Sequence, residues 1–307
     1  MSGWVVAAGW GLFGGAALVV GAAVAWSTAV PRRVVGIVMA FGAGVLISAV
    51  AFDLMDEAER SGGLLPTSVG FVGGAAAYVG ANEVLARRGA RHRKRSGDQQ
   101  PSEKTHGGSG AAIAMGALLD GVPESVVLGA SLLGGGGIST AVVAAVFISN
   151  VPEGLSSAAG MKRAGRSKGY VFGVWGGIAA ASAVAAALGY ILLGGASASL
   201  VASITAVAAG AILAMLADTM MPEAFEETHS LTGLITVAGF LTAFAIERVG
   251  VDLSGVSVLV PSSCPTWWLC GWACVSSPWP WSCRCSMWGC SWEVCGWSWD
   301  TSSCSCS

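Results

Sequence analysis

Long apolar segments follow one another along most of this chain, and their length restricts the folds that it can adopt. A helix needs about 20 apolar residues to cross a hydrocarbon core roughly 30 Å thick. Eight runs of this kind, bounded by charged or turn-forming residues, cover residues 4–26, 34–55, 63–86, 110–133, 138–160, 169–194, 198–221 and 231–250. We therefore predict an all-α integral membrane protein with eight transmembrane helices.

The composition agrees with a membrane protein. Hydrophobic residues make up 54% of the 307 residues and charged residues only 11%, whereas a soluble domain has about 25% charged residues. Glycine and alanine are abundant in the apolar runs, as expected where helix backbones approach closely in lipid. They would permit a homodimer, but packing within one chain explains them equally well. Membrane lipid of the plasma or inner membrane is the expected surrounding, and we predict no nucleic-acid partner.

The charges between the runs predict an orientation through the positive-inside rule. With the N-terminus outside, thirteen basic residues lie on the cytoplasmic side, and only Arg60 and Arg248 of the eight-helix region lie on the outer side. Both ends of this region should then lie outside. The first run lacks the positively charged start of a signal peptide, so we interpret it as a transmembrane helix. The thirteen basic residues on the cytoplasmic side are Arg32, Arg33, Arg87, Arg88, Arg91, Arg93, Lys94, Arg95, Lys104, Lys162, Arg163, Arg166 and Lys168.

Composition also divides the chain. Residues 87–108 are polar, basic and rich in serine and glycine, which predicts a flexible cytoplasmic loop dividing three helices from five. Residues 1–254 are the predicted transmembrane domain. Residues 255–307 contain all nine cysteines and nine of the thirteen tryptophans, without a helical or strand period. A disulfide-bonded or metal-binding cap is one interpretation; a disordered or non-native end is the favoured one, and we assign it no function.

Acidic residues inside the fourth run are the first candidates for chemistry, because ionisable groups in a membrane are expensive. The segment LLDGVPES places Asp120 and Glu124 four residues apart, with Pro123 between them. This spacing puts both carboxylates on one face of a helix. Two carboxylates one turn apart can share a cation.

The fifth run repeats this arrangement. The segment ISNVPEG contains Ser149, Asn150 and Glu153, and it aligns with the fourth run without a gap at an offset of 29 residues. A proline frees backbone carbonyls one turn earlier, which an ion or a neighbouring polar group can satisfy. A broken helix lined by oxygen ligands favours a cation path. The structural alternative is a pair of kinked helices whose acids only bond to neighbours.

Other acids are weaker candidates. Asp218 lies inside the seventh run and is a candidate metal ligand, while a hydrogen-bonded structural role is the alternative. The acids after it, Glu223, Glu226 and Glu227, lie near the end of the helix with His229. For Glu226, Glu227 and His229, a solvated helix end is favoured over a metal-attracting mouth.

The second run ends with Asp53, Asp56 and Glu57. Asp53 lies one turn deeper than Glu57 and could belong to an outer entrance, although acids at a helix end are common. Glu83, His92 and His106 are interpreted as helix-end and loop residues. Carboxylate, amide and hydroxyl ligands favour harder ions such as Mn(II) or Mg(II), because a typical zinc site includes His or Cys.

These segments resemble the Zrt/Irt-like, or ZIP, family of divalent metal transporters over roughly residues 5–250. The resemblance rests on a three-plus-five arrangement, a basic loop after helix three, and Pro-Glu motifs in helices four and five. The phrases FGAGVLISAVAFDLMDEA and MLADTMMPEAFEETH are also similar to the family's second and seventh helices. The family's helix four reads His-Asn-x-Pro-Glu-Gly, and its His and Glu bind metal. The resemblance thus implies that Asp120 takes the His position and that Glu124 keeps the Glu.

The chain departs from the family at other ligand positions. Ser149, Asn150 and Glu153 stand where helix five carries a His or Gln, a polar residue and a Glu. Helix six has no acid, with Ser182 near the expected place, and helix seven reads Asp218 then Thr219. We expect one metal site at most, in place of the two that are common in the family.

The function predicted from these features is uptake of a divalent cation such as zinc, manganese or iron, which is a substrate and not a prosthetic group. The predicted metal ligands are Asp120, Glu124, Ser149, Asn150, Glu153 and Asp218. No ATP-binding motif of the GxxxxGK[ST] type occurs, so an ion gradient or the membrane potential would drive transport. The alternative is a non-transporting protein of the same fold that acts as a metal sensor or assembly partner. We predict no enzyme activity, because there is no HExxH, no GxSxG and no credible nucleophile-base pair.

Overall fold

A computed structural model describes residues 2–98, 100, 109–134, 140–249, 283–286 and 289–292. The chain forms two compact units, Met1–Gly255 and Val256–Ser307. In the first unit the described residues are almost entirely helical. This confirms the coarse prediction of a helical membrane protein.

The helices of the first unit are α1 Gly3–Ser27, α2 Arg32–Ser48, α3 Met55–Gly62, α4 Leu64–Leu85, α5 Ser109–Ser131, α6 Thr140–Arg163, α7 Lys168–Leu193, α8 Ala198–Met215, α9 Met221–Thr228 and α10 Thr232–Val249. Three π-helical turns, Ala49–Leu54, Ala86–Ala90 and Leu216–Met220, continue α2, α4 and α8. Short 3₁₀ turns occur at Leu132–Gly134 and His229–Leu231.

Seven helical stretches in the described part of the chain are long and apolar enough to cross a membrane. Six of them each correspond to one predicted run. The seventh, Ala198–Arg248, is 51 residues long and contains the last two predicted runs. Within it, His229 has φ 46° and ψ −116° at the junction between α9 and the following 3₁₀ turn. The side chains that face outward include Leu64, Leu65 and Leu192, which are 70 to 75% exposed, as expected for residues that contact lipid acyl chains.

Reciprocal glycine contacts join three pairs of helices. A Cβ atom at Gly21 of α1 would collide with the Val151 carbonyl, and one at Gly154 of α6 with the Leu18 carbonyl. Similar mutual contacts join α4 to α8 and α2 to α10. Small residues let backbones approach closely where lipid supplies no hydrophobic driving force between helices. The α1/α6 contact flanks Glu153 and thereby fixes its position.

In the second unit the structure describes one antiparallel hairpin, with β1 Cys283–Ser286 and β2 Gly289–Trp292. Cys283 lies opposite Trp292, and Cys285 lies opposite Cys290. The sequence showed no strand period here, so these strands were not predicted. The other expectations for residues 255–307 lie outside the described residues.

Candidate cation site and the basic arm

A short basic segment, Arg91–Asp98, folds back against the helices, and we call it the basic arm. It follows the π-helical turn at the end of α4, where Gly89 has φ 102°. Glycine adopts this left-handed conformation without the strain that a side chain would introduce. The turn allows the chain to leave the helix axis and enter the space between α4, α5, α6 and α9.

The basic arm is not the flexible loop that composition predicts for residues 87–108. Arg93 and Lys94 are only 2% and 5% exposed. Basic segments usually remain solvated because burial of an unpaired charge is costly. Here the cost is offset because each buried cation meets a buried carboxylate. Residues 101–108, including His106, lie outside the described residues.

The Arg93 guanidinium binds side chains of α4 and α5. Its Nε and Nη2 donate to the two carboxylate oxygens of Asp120 at 2.9 and 2.8 Å. Nη2 also donates to the Tyr78 hydroxyl at 2.8 Å, and Nη1 donates to the Asn82 side-chain oxygen at 2.7 Å. Tyr78 in turn donates to Asp120 at 2.6 Å. Such bidentate, charge-assisted bonds are roughly twice as strong as neutral ones.

The charge state of Arg93 follows from this pairing. Burial alone would lower the pKa of Arg93, but the charge of Asp120 and its hydrogen bonds raise that pKa above its ordinary value. The guanidinium therefore remains charged. A permanent positive charge therefore lies against Asp120, the first predicted ligand.

Lys94 connects the two repeated segments. Its Nζ donates to Glu153 Oε1 at 2.6 Å and lies 3.4 Å from Asp120 Oδ2. Asp120 comes from α5 and Glu153 from α6, so one ammonium group stands between carboxylates of two helices. This is the position that a shared cation would take.

A third acid anchors the basic arm through its backbone. The Ser96 N–H and hydroxyl donate to Glu223 Oε1 at 2.8 and 2.6 Å. Ser156 Oγ donates to the Lys94 carbonyl at 2.5 Å. The Arg95 guanidinium lies 2.6 Å from a carboxylate oxygen of Glu226. Glu223 is 2% exposed, so it is a buried acceptor.

Two glycines and a glutamine complete the seat of the basic arm. A Cβ atom at Gly116 of α5 would collide with the Arg93 side chain, and one at Gly160 of α6 would collide with the Arg95 carbonyl. Gln100 Nε2 donates to the carbonyls of Arg93, Arg95 and Ser157 at 2.9, 3.0 and 3.1 Å. The absence of side chains at Gly116 and Gly160 therefore leaves space on α5 and α6 for the basic arm.

Glu124 differs from the other acids. It is 2% exposed, and neither carboxylate oxygen has a hydrogen-bond partner among the described residues. Glu124 lies within electrostatic range of Glu153, Lys94 and Asp120. Buried polar groups are nearly always hydrogen-bonded, so this carboxyl group calls for an explanation such as an ion or water. It is the strongest indication of a ligand at this place.

The hydroxyl and amide expected as ligands make other contacts. Ser149 Oγ donates to the Val146 carbonyl of its own helix at 3.0 Å. Asn150 Nδ2 donates to the Gly14 carbonyl of α1 at 3.0 Å. Both side chains are buried. In this conformation they support helix packing, and they do not complete a ligand cage with the carboxylates.

The two prolines do not break their helices. Pro123 lies inside α5 and Pro152 inside α6, and both helices continue through them. The expectation of broken helices was therefore wrong. Beside Pro123, Ser125 Oγ donates to the Gly121 carbonyl at 2.7 Å, and Pro152 packs against Gly42 of α2.

Asp218 lies beside the site but outside its buried part. It is exposed, and Asn82 Nδ2 donates to it at 3.3 Å. Asn82 also binds Arg93, so Asp218 reaches the cluster only through an intermediate side chain. The π-helical turn Leu216–Met220 carries it, and such turns are frequent at functional sites.

A cavity of about 320 Å³ lies at the other end of the bundle, between α3, α5, α7 and α8. Its polar lining includes Glu57, Ser61, Ser131 and Thr205. The sequence offered Asp53 as a candidate entrance residue beside the alternative of an ordinary helix-end acid, and it is Glu57 that lines this cavity. A depression with polar side chains and one carboxylate in its lining could admit a cation.

The candidate site as a whole is a buried set of acids neutralised by side-chain cations. Among residues 2–98, 100, 109–134 and 140–249, no three His, Cys, Asp or Glu side chains are grouped so that they could hold a metal ion. Three buried acids, Asp120, Glu153 and Glu223, bind the basic arm, and Glu124 is left beside them. Chemically, the arrangement can bind a cation whose charge replaces that of Arg93 and Lys94.

Four residues of this cluster were not predicted as site residues from the sequence: Tyr78, Arg93, Lys94 and Glu223. A signal existed for Glu223, because Pro222-Glu223 is a third Pro-Glu pair after Pro123-Glu124 and Pro152-Glu153. No sequence signal distinguished the two buried cations from the other basic residues of the loop.

No protein-family model matches the chain, and no curated protein matches it.

Proposed function

We propose that this protein transports divalent metal cations across a membrane, as a divergent member of the ZIP family, through a site built on Asp120, Glu124 and Glu153. The observation that carries the proposal is Glu124, a fully buried carboxyl group without a hydrogen-bond partner among the described residues. An acid in this state, with Asp120 one turn away on the same apolar helix and Glu153 on another, is an intramembrane functional candidate by default.

Two further features support transport. The 320 Å³ cavity is lined by Val127, Ala130 and Ser131 of α5, about one to two helical turns along from Glu124, so a short path would join the cavity to the acids. The cation at this site is a substrate, and alternating exposure of a site between helices is the usual means of moving such a substrate.

The proposal includes eight transmembrane helices in a three-plus-five arrangement, with both ends of the bundle outside. One crossing takes about 20 residues, and the final stretch of 51 residues contains the left-handed His229 between α9 and α10. A reversal at this residue divides the stretch into two crossings. The basic arm then lies on the cytoplasmic side, where the positive-inside rule favours basic residues.

The ligand chemistry favours hard cations. The three candidate ligands are carboxylates, and oxygen ligands suit Mn(II) and Mg(II) better than zinc. Zinc and iron remain within the proposed substrate class because the family moves them. A metal preference for Mn(II) over Zn(II) is the specific expectation for this chain.

Cellular accumulation tests the proposal. The full chain is expressed in a bacterium deficient in metal uptake, and accumulation of Mn, Zn, Fe, Co and Cd is measured at matched membrane levels. Glu124→Ala and Glu153→Ala should abolish accumulation, because each removes a buried ligand. Glu83→Gln, which changes an exposed carboxylate, is the control and should transport normally. Absence of accumulation of every ion by a folded wild-type protein would contradict the proposal.

A second candidate function is supported by the basic arm itself. Because Arg93 and Lys94 already neutralise Asp120 and Glu153, a protein that only senses metal or assembles with a partner would also fit. Measurable metal binding without any flux would favour this alternative.

A further inference from the structure

We propose that the basic arm is an internal competitor of the transported cation: Arg93 and Lys94 occupy the site at rest, and a divalent ion binds only when the arm withdraws. This inference rests on the proposed function, because it names what regulates that same site. It concerns the chain's own segment Arg91–Asp98 and requires no other partner.

The charged groups of Arg93 and Lys94 lie where a metal ion would bind. Lys94 Nζ lies 2.6 Å from Glu153 and 3.4 Å from Asp120, and the Arg93 guanidinium binds both oxygens of Asp120. These two cations neutralise the two carboxylates that a metal would share. A divalent ion and these two side chains cannot satisfy the same oxygen atoms together, so their binding is mutually exclusive.

The helices also provide a specific binding surface for the basic arm. Gly116 and Gly160 leave the space that it fills, Glu223 accepts two hydrogen bonds from Ser96, and Ser156 donates to the Lys94 carbonyl. Most of these contacts involve the backbone of the arm and lie outside the cation site. They act as a latch that holds Arg93 and Lys94 in place without contributing ligands to a metal.

The docked arm leaves the carboxyl group of Glu124 without a hydrogen-bond partner among the described residues. Glu124 lies within electrostatic range of Lys94 and Glu153, yet none of its oxygens is bonded to the basic arm. A cation that replaced Lys94 could gain Glu124 as an additional ligand. The gain offers a reason for the metal to displace the arm, since two monovalent side chains leave this carboxyl group unsatisfied.

A tethered competitor lowers the apparent affinity for the ion in proportion to the docked population. If the arm is docked in all but a small fraction of molecules, the apparent Kd for the metal exceeds the intrinsic Kd by the reciprocal of that fraction. Release of the arm should therefore tighten binding by about tenfold or more. Release should also expose Arg93 and Lys94 to protease.

The experiment measures Mn(II) binding and arm exposure on the purified full chain. Binding is followed by loss of the free Mn(II) resonance signal, and Mn(II) is chosen because the tail cysteines favour softer ions. Cleavage after Arg93 and Lys94 by trypsin is followed by mass spectrometry. Glu223→Ala releases the latch while it leaves both cations and all three candidate ligands in place. Arg91→Ala, which removes an exposed charge of the same segment, is the control.

The expected results are tighter Mn(II) binding by Glu223→Ala, faster arm cleavage in that variant, and faster cleavage of the wild type when Mn(II) is added. Arg93→Ala should also bind Mn(II) more tightly, and added methylguanidinium should restore weak binding by filling the vacated position. If Arg93→Ala fails to fold, Glu223→Ala still decides the question.

Two contrary results are distinguishable. Equal Mn(II) affinity in wild type, Glu223→Ala and Arg91→Ala, with arm cleavage unaffected by Mn(II), would overturn the competitor role and leave the proposed transport intact. Absence of Mn(II) binding in every variant, even when Glu223→Ala exposes the arm to trypsin, would overturn the proposed function and this inference with it.

Discussion

The two Val-Pro-Glu segments align residue for residue, yet their surroundings differ. Glu153 makes a 2.6 Å ion pair with Lys94, whereas Glu124 has no hydrogen-bond partner among the described residues. Asp120 binds Arg93, while Ser149 at the matching position donates to a carbonyl of its own helix. The repeated spacing places both glutamates in the same region, but the basic arm determines which of them is neutralised.

The packing of the two segments also differs. Gly154 follows Glu153 and lies against the Leu18 carbonyl of α1, where a side chain would collide. Ser125 follows Glu124, and its hydroxyl donates to Gly121 within α5. The α6 segment is thus held by another helix at close range, whereas the α5 segment is stabilised internally at this position.

Removal of Arg93 should have the largest effect on stability. Arg93→Ala leaves the 2% exposed carboxylate of Asp120 without its main partner, and breaking a buried ion pair costs about 3 to 5 kcal/mol. Thermal and denaturant unfolding in detergent would measure this loss in the free energy of unfolding. In a double-mutant cycle, Arg93→Ala with Asp120→Ala should recover a large part of the loss. Simple additivity of the two single substitutions would contradict the pairing.

Substitution of the two glutamates should distinguish the repeats directly. Glu153→Gln removes the charge that faces Lys94 and should lower the free energy of unfolding by about 2 to 3 kcal/mol. Glu124→Gln removes a carboxyl group that has no hydrogen-bond partner among the described residues. This substitution should change the free energy of unfolding by less than about 1 kcal/mol. Unfolding midpoints of the two variants provide the comparison. Equal losses would mean that the arm does not differentiate the two acids.

Substitution of Gly154, which follows Glu153, should lower the free energy of unfolding more than substitution of Ser125, which follows Glu124. Gly154→Ala forces a methyl group against the Leu18 carbonyl and should cost about 1 to 2 kcal/mol. Ser125→Ala removes one local hydrogen bond and should cost about 0.5 to 1 kcal/mol. Gly177→Ala is the matched control, because no atom lies within 4 Å of the added Cβ position. A loss at Gly177 as large as at Gly154 would refute the close-contact explanation.

The smallest expected effect is a pH dependence at the start of the basic arm. Burial, followed by the charges of Arg95 and Arg91, lowers the pKa of His92 below its ordinary value of 6.5. The undocked state therefore takes up a proton first as the pH falls through 6.5, so docking weakens progressively below that pH. Trypsin cleavage of the arm should increase modestly from pH 7 to pH 5 in the wild type. His92→Gln should remove this dependence, and an unchanged profile would exclude His92 as its origin.

Sequence reasoning predicted the helices well because long apolar runs allow few alternatives. The runs at 4–26, 110–133 and 169–194 lie within the helical stretches Gly3–Ser27, Ser109–Ser131 and Lys168–Leu193 to within a few residues. Burial of Asp120, Glu124 and Glu153 was also foreseeable, since acids inside such runs have no other environment. The orientation and the number of crossings remain predictions.

The partners of these acids could not be predicted. Arg93 and Lys94 lie in a basic segment whose composition indicates solvent exposure, and their burial depends on Gly116, Gly160 and Glu223, which are distant in sequence. Likewise, the prolines indicated broken helices, but both helices continue through them. Such contacts depend on tertiary structure, which periodicity and spacing do not encode.

Metal flux through the purified protein tests the central claim most directly. The full chain is reconstituted into liposomes that contain a dye quenched by Mn(II), and influx is compared for wild type, Glu124→Gln and the control Glu83→Gln. We expect saturable influx in the wild type and in Glu83→Gln, and loss of influx in Glu124→Gln although its stability is nearly unchanged. Influx that survives in Glu124→Gln, or its absence in a folded wild-type protein, would contradict transport through this site.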